Sequence, residues 1–291
     1  MLFEVLLVGI MVGAIYTLVT IGYSMVYGML KLMNFAHGDV YIFGTLICFT
    51  LLSRYDLNVV VAILIAVAIG GCLASLVEIV AYRRLRATNH RMISMITALG
   101  AAYVIQNTSE LNWGNQMLPF PSIVDMPPIS LLGYDISITC IITLTIAVGF
   151  IIIFNLFLKF HKVGKAILCV SEDIPTSSLM GIPINRTISI VYFLGGIFGV
   201  MGGILYSASY NVVSIGMGFR GTIVAFTAAV IGGIGSMSGA LIGGMLLGIS
   251  ENLVGYYVST SYRDAITFLI LILVLLVKPS GIMGKDDHRK V

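Results

Sequence analysis

The sequence predicts an all-α polytopic membrane protein, and three observations carry that expectation. Of 291 residues, 58% are apolar and only 10% are charged, against about 45–50% and about 25% in soluble domains. Mean hydropathy is +1.04, which leaves too few polar side chains to cover a soluble fold. The charges are clustered, and several uncharged stretches between them approach the roughly 20 residues a helix needs to cross a bilayer. A cytosolic enzyme, a secreted disulfide scaffold and a disordered chain are excluded. Outer-membrane strands would alternate polar and apolar residues, and these stretches do not.

The first helix lies in the uncharged stretch 5–30. The opening MLFEVLLVGIMVG lacks a basic leader region and outruns a signal peptide, so it reads as a retained helix. Stretch 40–53 follows the polar joint Asn34-Phe35-Ala36-His37-Gly38-Asp39. Either it is a short span, or the joint lies within the membrane as a broken helix facing protein or water. Stretches 57–77 and 136–158 each fit one helix, and 92–109 sits near the lower length limit. Stretch 187–219 reads as a helix over roughly Thr187–Ser209 followed by a Gly-rich loop. In 221–250, Gly232-Gly233-Ile234-Gly235-Ser236 separates a short helix from one reaching Tyr257. The last span runs from about Asp264 to Val277. The sum is eight or nine transmembrane or re-entrant helices in one domain, 1–291.

Basic residues set the expected orientation. Loop 82–91 holds Arg83, Arg84, Arg86 and Arg91; loop 159–186 holds Lys159, Lys162, Lys165 and Arg186; the tail holds Lys278, Lys285, Arg289 and Lys290. All three should be cytoplasmic. Loop 112–135 has no Lys or Arg and four prolines, Pro119, Pro121, Pro127 and Pro128, and should face outward. Counting back places the N-terminus outside and the C-terminus inside, provided 40–53 crosses fully.

Glycine is concentrated late: 15 of 32 fall between Gly195 and Gly248. The runs Gly195-Gly199-Gly203 and Gly235-Gly239-Gly243 have four-residue spacing, which puts each on one helix face where another backbone can approach. The readings are close packing within the subunit, or a seam that slides or meets a partner. Cys48, Cys72, Cys140 and Cys169 form no C-x-x-C pair and read as buried small hydrophobes.

No catalytic constellation or metal-ligand cluster appears: there is no H-E-x-x-H, G-x-S-x-G or Walker sequence. No basic stripe with interleaved aromatics points to nucleic acid. His90, His161 and His288 lie in basic segments and read as solvated or facing headgroups. Asn34, His37 and Asp39 are either a helix cap and turn at the interface or a polar break lining a substrate path, since polar groups at membrane depth are costly. Glu78, five residues before Arg83, reads as an interfacial ion pair or a snorkelling carboxylate. Glu251 and Asn252, still within apolar sequence, pack against another helix or face a cavity.

Loop 159–186 reads KFHKVGKAILCVSEDIPTSSLMGIPINR. Ser171 suits an N-cap, Glu172 and Asp173 a first helical turn, Pro175 is tolerated there, and Gly181 is a natural stop. The helix over Glu172–Gly181 would have a greasy face of Leu179, Met180 and Ile182. It either lies on the membrane surface or docks into a groove of a soluble partner.

Several longer motifs then become recognisable. IGYSMVYGMLKLMNFAHGDVYIFG (21–44), VEIVAYRRLR (77–86), ITALGAAYVIQN (96–107), FRGTIVAFTAAVIGGIGSMSGALIGGMLLGISE (219–251) and VLLVKPSGIMG (274–284) stand in order over most of the chain. The sequence resembles the H-type permease subunit of bacterial branched-chain amino acid ATP-binding-cassette (ABC) importers. The resemblance implies an inner-membrane permease that binds no cofactor itself, with ATP and Mg used by partner subunits. Its implied partners are an M-type permease, two ATPases and an extracytoplasmic binding protein, with lipid around it. Glu172, Asp173, Leu179, Gly181 and Ile182 match the family's ATPase-coupling motif, with Met180 beside them; Ser177 and Pro175 depart from it, as Arg84 departs from the arginine loop. The substrate implied is a small apolar amino acid. The alternatives are another branch of the superfamily, carrying urea, amides, sugars or nucleosides, or an ion-coupled secondary transporter whose only fair ion site is the Asn34–Asp39 joint.

Overall fold

The computed structural model describes residues 2–85, 91–123, 129–131 and 134–284. Eleven α-helices dominate these residues: α1 (Leu2–Leu30), α2 (His37–Ser53), α3 (Val59–Val77), α4 (Arg91–Trp113), α5 (Ile138–Phe160), α6 (Lys162–Glu172), α7 (Ile174–Leu179), α8 (Ile184–Tyr210), α9 (Gly216–Gly232), α10 (Met237–Tyr257) and α11 (Arg263–Val277). A π-helical turn, Glu78–Tyr82, extends α3. Six of these segments are long and apolar enough to cross a membrane, and α2 and α9 are shorter apolar helices of 17 residues each. Two boundaries move outward from the sequence expectation. α4 continues to Trp113 through Glu110, because one charge near a helix end does not stop a helix. α8 begins at Ile184, behind Pro183, which ends the preceding connection.

Contacts fix which helix ends share a side. At one end, the Tyr82 hydroxyl meets the Met33 carbonyl and Asn34 Oδ1, both at 3.3 Å. There too Gly28 lies against Gly235, and the Ile282 N–H donates to the Ile231 carbonyl at 2.9 Å. At the other end, Trp113 Nε1 donates to Thr50 Oγ1 at 2.7 Å. There β1 (Leu118–Pro119) also pairs antiparallel with β2 (Val212–Val213). The basic residues Arg83, Arg84, Lys159, Lys162, Lys165, Arg186 and Lys278 therefore belong to the first end, and residues 112–123 to the second. Arg86, Lys285, Arg289, Lys290, His90, His288, Pro127 and Pro128 lie outside the described residues.

The bundle is built from two inverted halves. α1 packs on α10 as α8 packs on α3; α2 packs on α8 as α9 packs on α1; α2 packs on α4 as α9 packs on α11. A shift of 180 residues relates the halves, carrying Gly22 onto Gly202 and Ile15 onto Gly195, and accordingly Gly22 faces the Gly195 carbonyl while Gly202 faces that of Ile15. Gly38 maps onto Gly218, and those two lie against each other. α5, α6 and α7 link the halves.

The stretch after α1 is where the sequence left two readings open. α1 reaches the first end at Leu30, and the next six residues turn back before α2 starts at His37. Such a segment spans up to about 20 Å when extended. His37 lies against Gly199, close to the midpoint of α8. The polar joint is therefore inside the bundle, and α2 is a half-helix that begins at mid-depth. α9 is its counterpart after the shorter return 211–215, entered through Asn211 in the left-handed conformation (φ 52°). The first turns of α2 and α9 meet head to head.

Glycine makes that meeting possible. A methyl group on Gly38 would fall 1.9 Å from the Gly218 carbonyl oxygen and 2.2 Å from Thr222 Oγ1. The expected run Gly195-Gly199-Gly203 does share the buried face of α8, towards α1 and α2. The second run is corrected: Gly235 stands in the α9–α10 turn at φ +84°, and only Gly239 and Gly243 are helical, packed against Gly232 and Ala228. Ser236 caps α10 with its side chain, bonding the Gly239 N–H at 3.1 Å, so the helix starts after Gly235. Cys48 and Cys140 are buried as expected, but Cys72 and Cys169 are exposed on outward helix faces. Small size suits a cysteine to either position, so spacing could not decide between them.

Gly38→Ala should cost at least the roughly 1–3 kcal/mol of an overpacked core, seen as a lower unfolding temperature and lower yield in detergent. Gly100→Ala, where nothing lies within 4 Å, should be neutral or gain about 0.5–1 kcal/mol from helix propensity.

Candidate functional site

Two polar centres lie within the bundle, and a third feature projects from it. The first centre is the start of α2. Asn34 and His37 are buried, at 5% and 3% exposure. Asn34 accepts from Tyr82, as above. His37 stacks edge-on against Tyr23, with ring centroids 5.8 Å apart, and its Nε2 has no hydrogen-bond partner among the described residues. Asp39, in the first turn of α2, keeps part of its side chain exposed. The sequence grouped these three, but the structure separates them by burial: Asn34 and His37 are buried and Asp39 is half-buried.

The second centre gathers around Glu251, whose side chain is 3% exposed. Tyr16 of α1 donates to its Oε2 at 2.7 Å, and Thr267 of α11 donates to its Oε1. Arg220 of α9 brings Nη2 within 3.6 Å of Oε2, donates from Nε to Asp264 Oδ1 at 2.7 Å, and from Nη1 to the Tyr206 hydroxyl of α8 at 3.3 Å. One guanidinium and one carboxylate thereby tie five helices together. Asn252 donates to the Val5 carbonyl on α1. Of the two readings left open for Glu251 and Asn252, both side chains take the packed one. Arg220 also lines a small pocket of about 40 Å³ between α1, α2, α8 and α9 with Tyr16, Val19, Tyr41, Gly203 and Tyr206. Sequence reasoning assigned Arg220 no role. The available signal was its isolation, as one of four basic residues outside the three basic regions.

Glu78 is fully buried and pairs with Arg83 at 2.8 Å, while Ser189 of α8 donates to the same carboxylate at 2.7 Å. It is an ion pair at the helix exit rather than a snorkelling group.

The third feature is α7. The expected helix over Glu172–Gly181 is corrected to a break. Glu172 ends α6, and Asp173, in extended conformation, caps α7 by accepting from the Thr176 N–H at 3.2 Å and the Thr176 hydroxyl at 3.0 Å. In an unbroken helix the Pro175 ring would strike the Ser171 carbonyl and lack an N–H to donate. Ser171 instead bonds the Leu168 carbonyl of its own helix at 2.7 Å. Gly181 ends the turn at φ +82°, as expected of a glycine stop, and the Ile182 N–H returns to the Ser177 carbonyl at 3.1 Å. Ser177 is buried; Leu179 and Met180 are 88% and 79% exposed. His161, read as a solvated residue, caps α6 through Nδ1, accepting from the Val163 N–H at 3.2 Å.

Inverted half-helices meeting inside a helical bundle, with a short helix projecting from one end, define a polytopic membrane transport protein. The model of the branched-chain amino acid transport system permease component matches residues 5–275, and the chain belongs to that family. It is 36% identical to the high-affinity branched-chain amino acid transport permease LivH of Escherichia coli over 97% of this chain and 96% of that one. It is equally identical, with the same coverage, to BraD of Pseudomonas aeruginosa. Among solved structures, PsaBC from Streptococcus pneumoniae in complex with Fab shares the fold, with a TM-score of 0.55 at 14% identity over 96% of this chain and 92% of that chain. The protein is thus the membrane permease component of an ABC transport system, a non-catalytic subunit.

Glu251→Ala would leave Arg220 short of one carboxylate and the buried Tyr16 hydroxyl without its acceptor, while Thr267 keeps the Arg263 carbonyl. Breaking a buried pair from one side costs about 3–5 kcal/mol, so thermal unfolding in detergent should shift strongly. Asp264→Ala, whose side chain is 63% exposed, should cost under about 1 kcal/mol.

Proposed function

We propose that this permease carries small apolar amino acids across a bacterial inner membrane, driven by separate ATPase subunits that dock on α7. The observation that carries the coupling role is the exposed pair Leu179–Met180 on a capped six-residue helix. It projects from the bundle end that gathers the basic residues. A large apolar pair held out by a defined turn suits a groove in a soluble partner. Positive-inside placement makes that end cytoplasmic, which puts the N-terminus outside and residues 112–123 on the outer face.

The substrate class rests on the family and on LivH and BraD. The partners that follow are an M-type permease, two ATPases that hold ATP and Mg, and an extracytoplasmic binding protein. ATP-driven closure of the ATPases would move α7, and α6 would carry the motion to the bundle, since α6 packs on α5, α8 and α1. Access would then alternate between the two sides.

Leu179→Ala with Met180→Ala should reduce ATPase co-purification by about thirtyfold in affinity, the effect of losing an interface anchor of about 2 kcal/mol. Membrane insertion should be unchanged. Asp173→Ala should weaken docking less, by the roughly 0.5–2 kcal/mol of a lost cap. Full complex and full uptake in proteoliposomes with the Leu179/Met180 variant would refute the docking role. Uptake by the chain alone from an ion gradient would refute ATP coupling.

A further inference from the structure

Among the described residues, Asp39 is the one acidic side chain that the fold leaves half-buried at mid-depth. Its neighbour Gly38 lies against Gly218 at the crossing of the two half-helices, and His37 lies against Gly199 near the centre of α8. Asp39 makes no ion pair with any described residue. One and two turns further along the same face of α2, Phe43 and Ile47 are also half-buried, Phe43 with one edge against Trp113 of α4 at 5.7 Å between ring centroids. Across the crossing stands Phe219, the symmetry counterpart of Asp39 and 70% exposed.

A carboxylate facing hydrocarbon would be costly, and ionisable groups at this depth face water or protein. The start of α2 favours negative charge in its first turn, which offsets part of the cost of holding Asp39 half-buried. An apolar aromatic strip with one carboxylate complements a molecule that has an apolar body and an ammonium group.

We propose that the face formed by Asp39, Phe43 and Phe219 is a wall of the translocation path, with Asp39 taking the ammonium group of the passing amino acid. This rests on the reading of the chain as an amino acid permease. The aromatic rings would meet the apolar side chain of the substrate, and a second permease would close the path from the other side.

The test uses the complete complex with its binding protein and ATPases in proteoliposomes. A Phe43→Cys reporter is placed in a chain whose natural cysteines are replaced. It should react with a neutral water-soluble thiol reagent, and about tenfold faster with a cationic than with an anionic one. Asp39→Asn should abolish that charge preference while leaving neutral labelling intact. The same substitution should lower uptake at least tenfold at unchanged complex yield, and Asp39→Glu should restore much of it. No labelling at position 43 by any reagent would overturn the path wall. Labelling without charge preference, or full uptake by Asp39→Asn, would overturn the ammonium role. If Asp39→Asn instead dissociates the two permeases, Asp39 is an interface ion-pair partner and the proposal fails. A wild-type complex that takes up no amino acid would overturn the permease reading itself, separately from the role of Asp39.

Discussion

The fold depends on two helices that begin halfway through it. Backbone N–H and C=O groups inside a membrane must be satisfied by the protein, and a helix start leaves four N–H groups without intrahelical partners. Placing two such starts at mid-depth is tolerable only where protein surrounds them. α2 and α9 supply that protein for each other: Gly38 and Gly218 let the backbones touch, and Tyr41 of α2 donates its hydroxyl to the Met217 carbonyl of α9. The long helices α1 and α8 flank the crossing, with Gly22 and Gly202 keeping them close to their partners. Without side-chain-free contact at this point, the returns 31–36 and 211–215 would have nowhere to deliver their helices.

The charges act on a different scale. Arg220 and Glu251 draw α1, α8, α9, α10 and α11 together beside the crossing, whereas Glu78 and Arg83 fasten α3 to α8 at the basic end. Each carboxylate is buried and bonded to hydroxyls as well as a guanidinium. That satisfaction is what makes a buried charge tolerable. The interior of this permease therefore has polar anchors towards both ends and a glycine contact between them.

Much of the fold was legible in the sequence. Clustered charges marked the spans, and the basic loops fall at one end as their charge implied. The short stretch 40–53 signalled that something unusual preceded it. The depth of the joint was not legible, because a count of uncharged residues cannot distinguish a short span from a half-helix. The inverted repeat was hidden for a related reason. Its signature is a set of equivalent backbone contacts related by a shift of 180 residues, and outside the paired glycines few of the matched residues are identical. At the candidate site, Asn34, His37 and Asp39 were found as a group, but their separation needed the helical phase of α2, which starts only at His37. A short helix within loop 159–186 was legible, yet its start reads as Ser171 because two acids after a serine look like a cap. Pro175 moved the break to Asp173.

The differences between the two halves separate what the meeting of the half-helices needs from what it does not. Under the 180-residue shift Gly38 matches Gly218 and Gly22 matches Gly202, so the close contacts are shared. Asp39 instead falls opposite Phe219, and Val40 opposite Arg220. Had these charges been needed to make the half-helices meet, both crossings would carry them. Only one half has the carboxylate, and only the other has the guanidinium. The symmetric glycines build a frame that works equally from either side. The unmatched charges distinguish the two halves, and α7, in the linker between them, lies outside the symmetry altogether. The inequality between the halves thus resides in side chains at the crossing rather than in the path of the backbone.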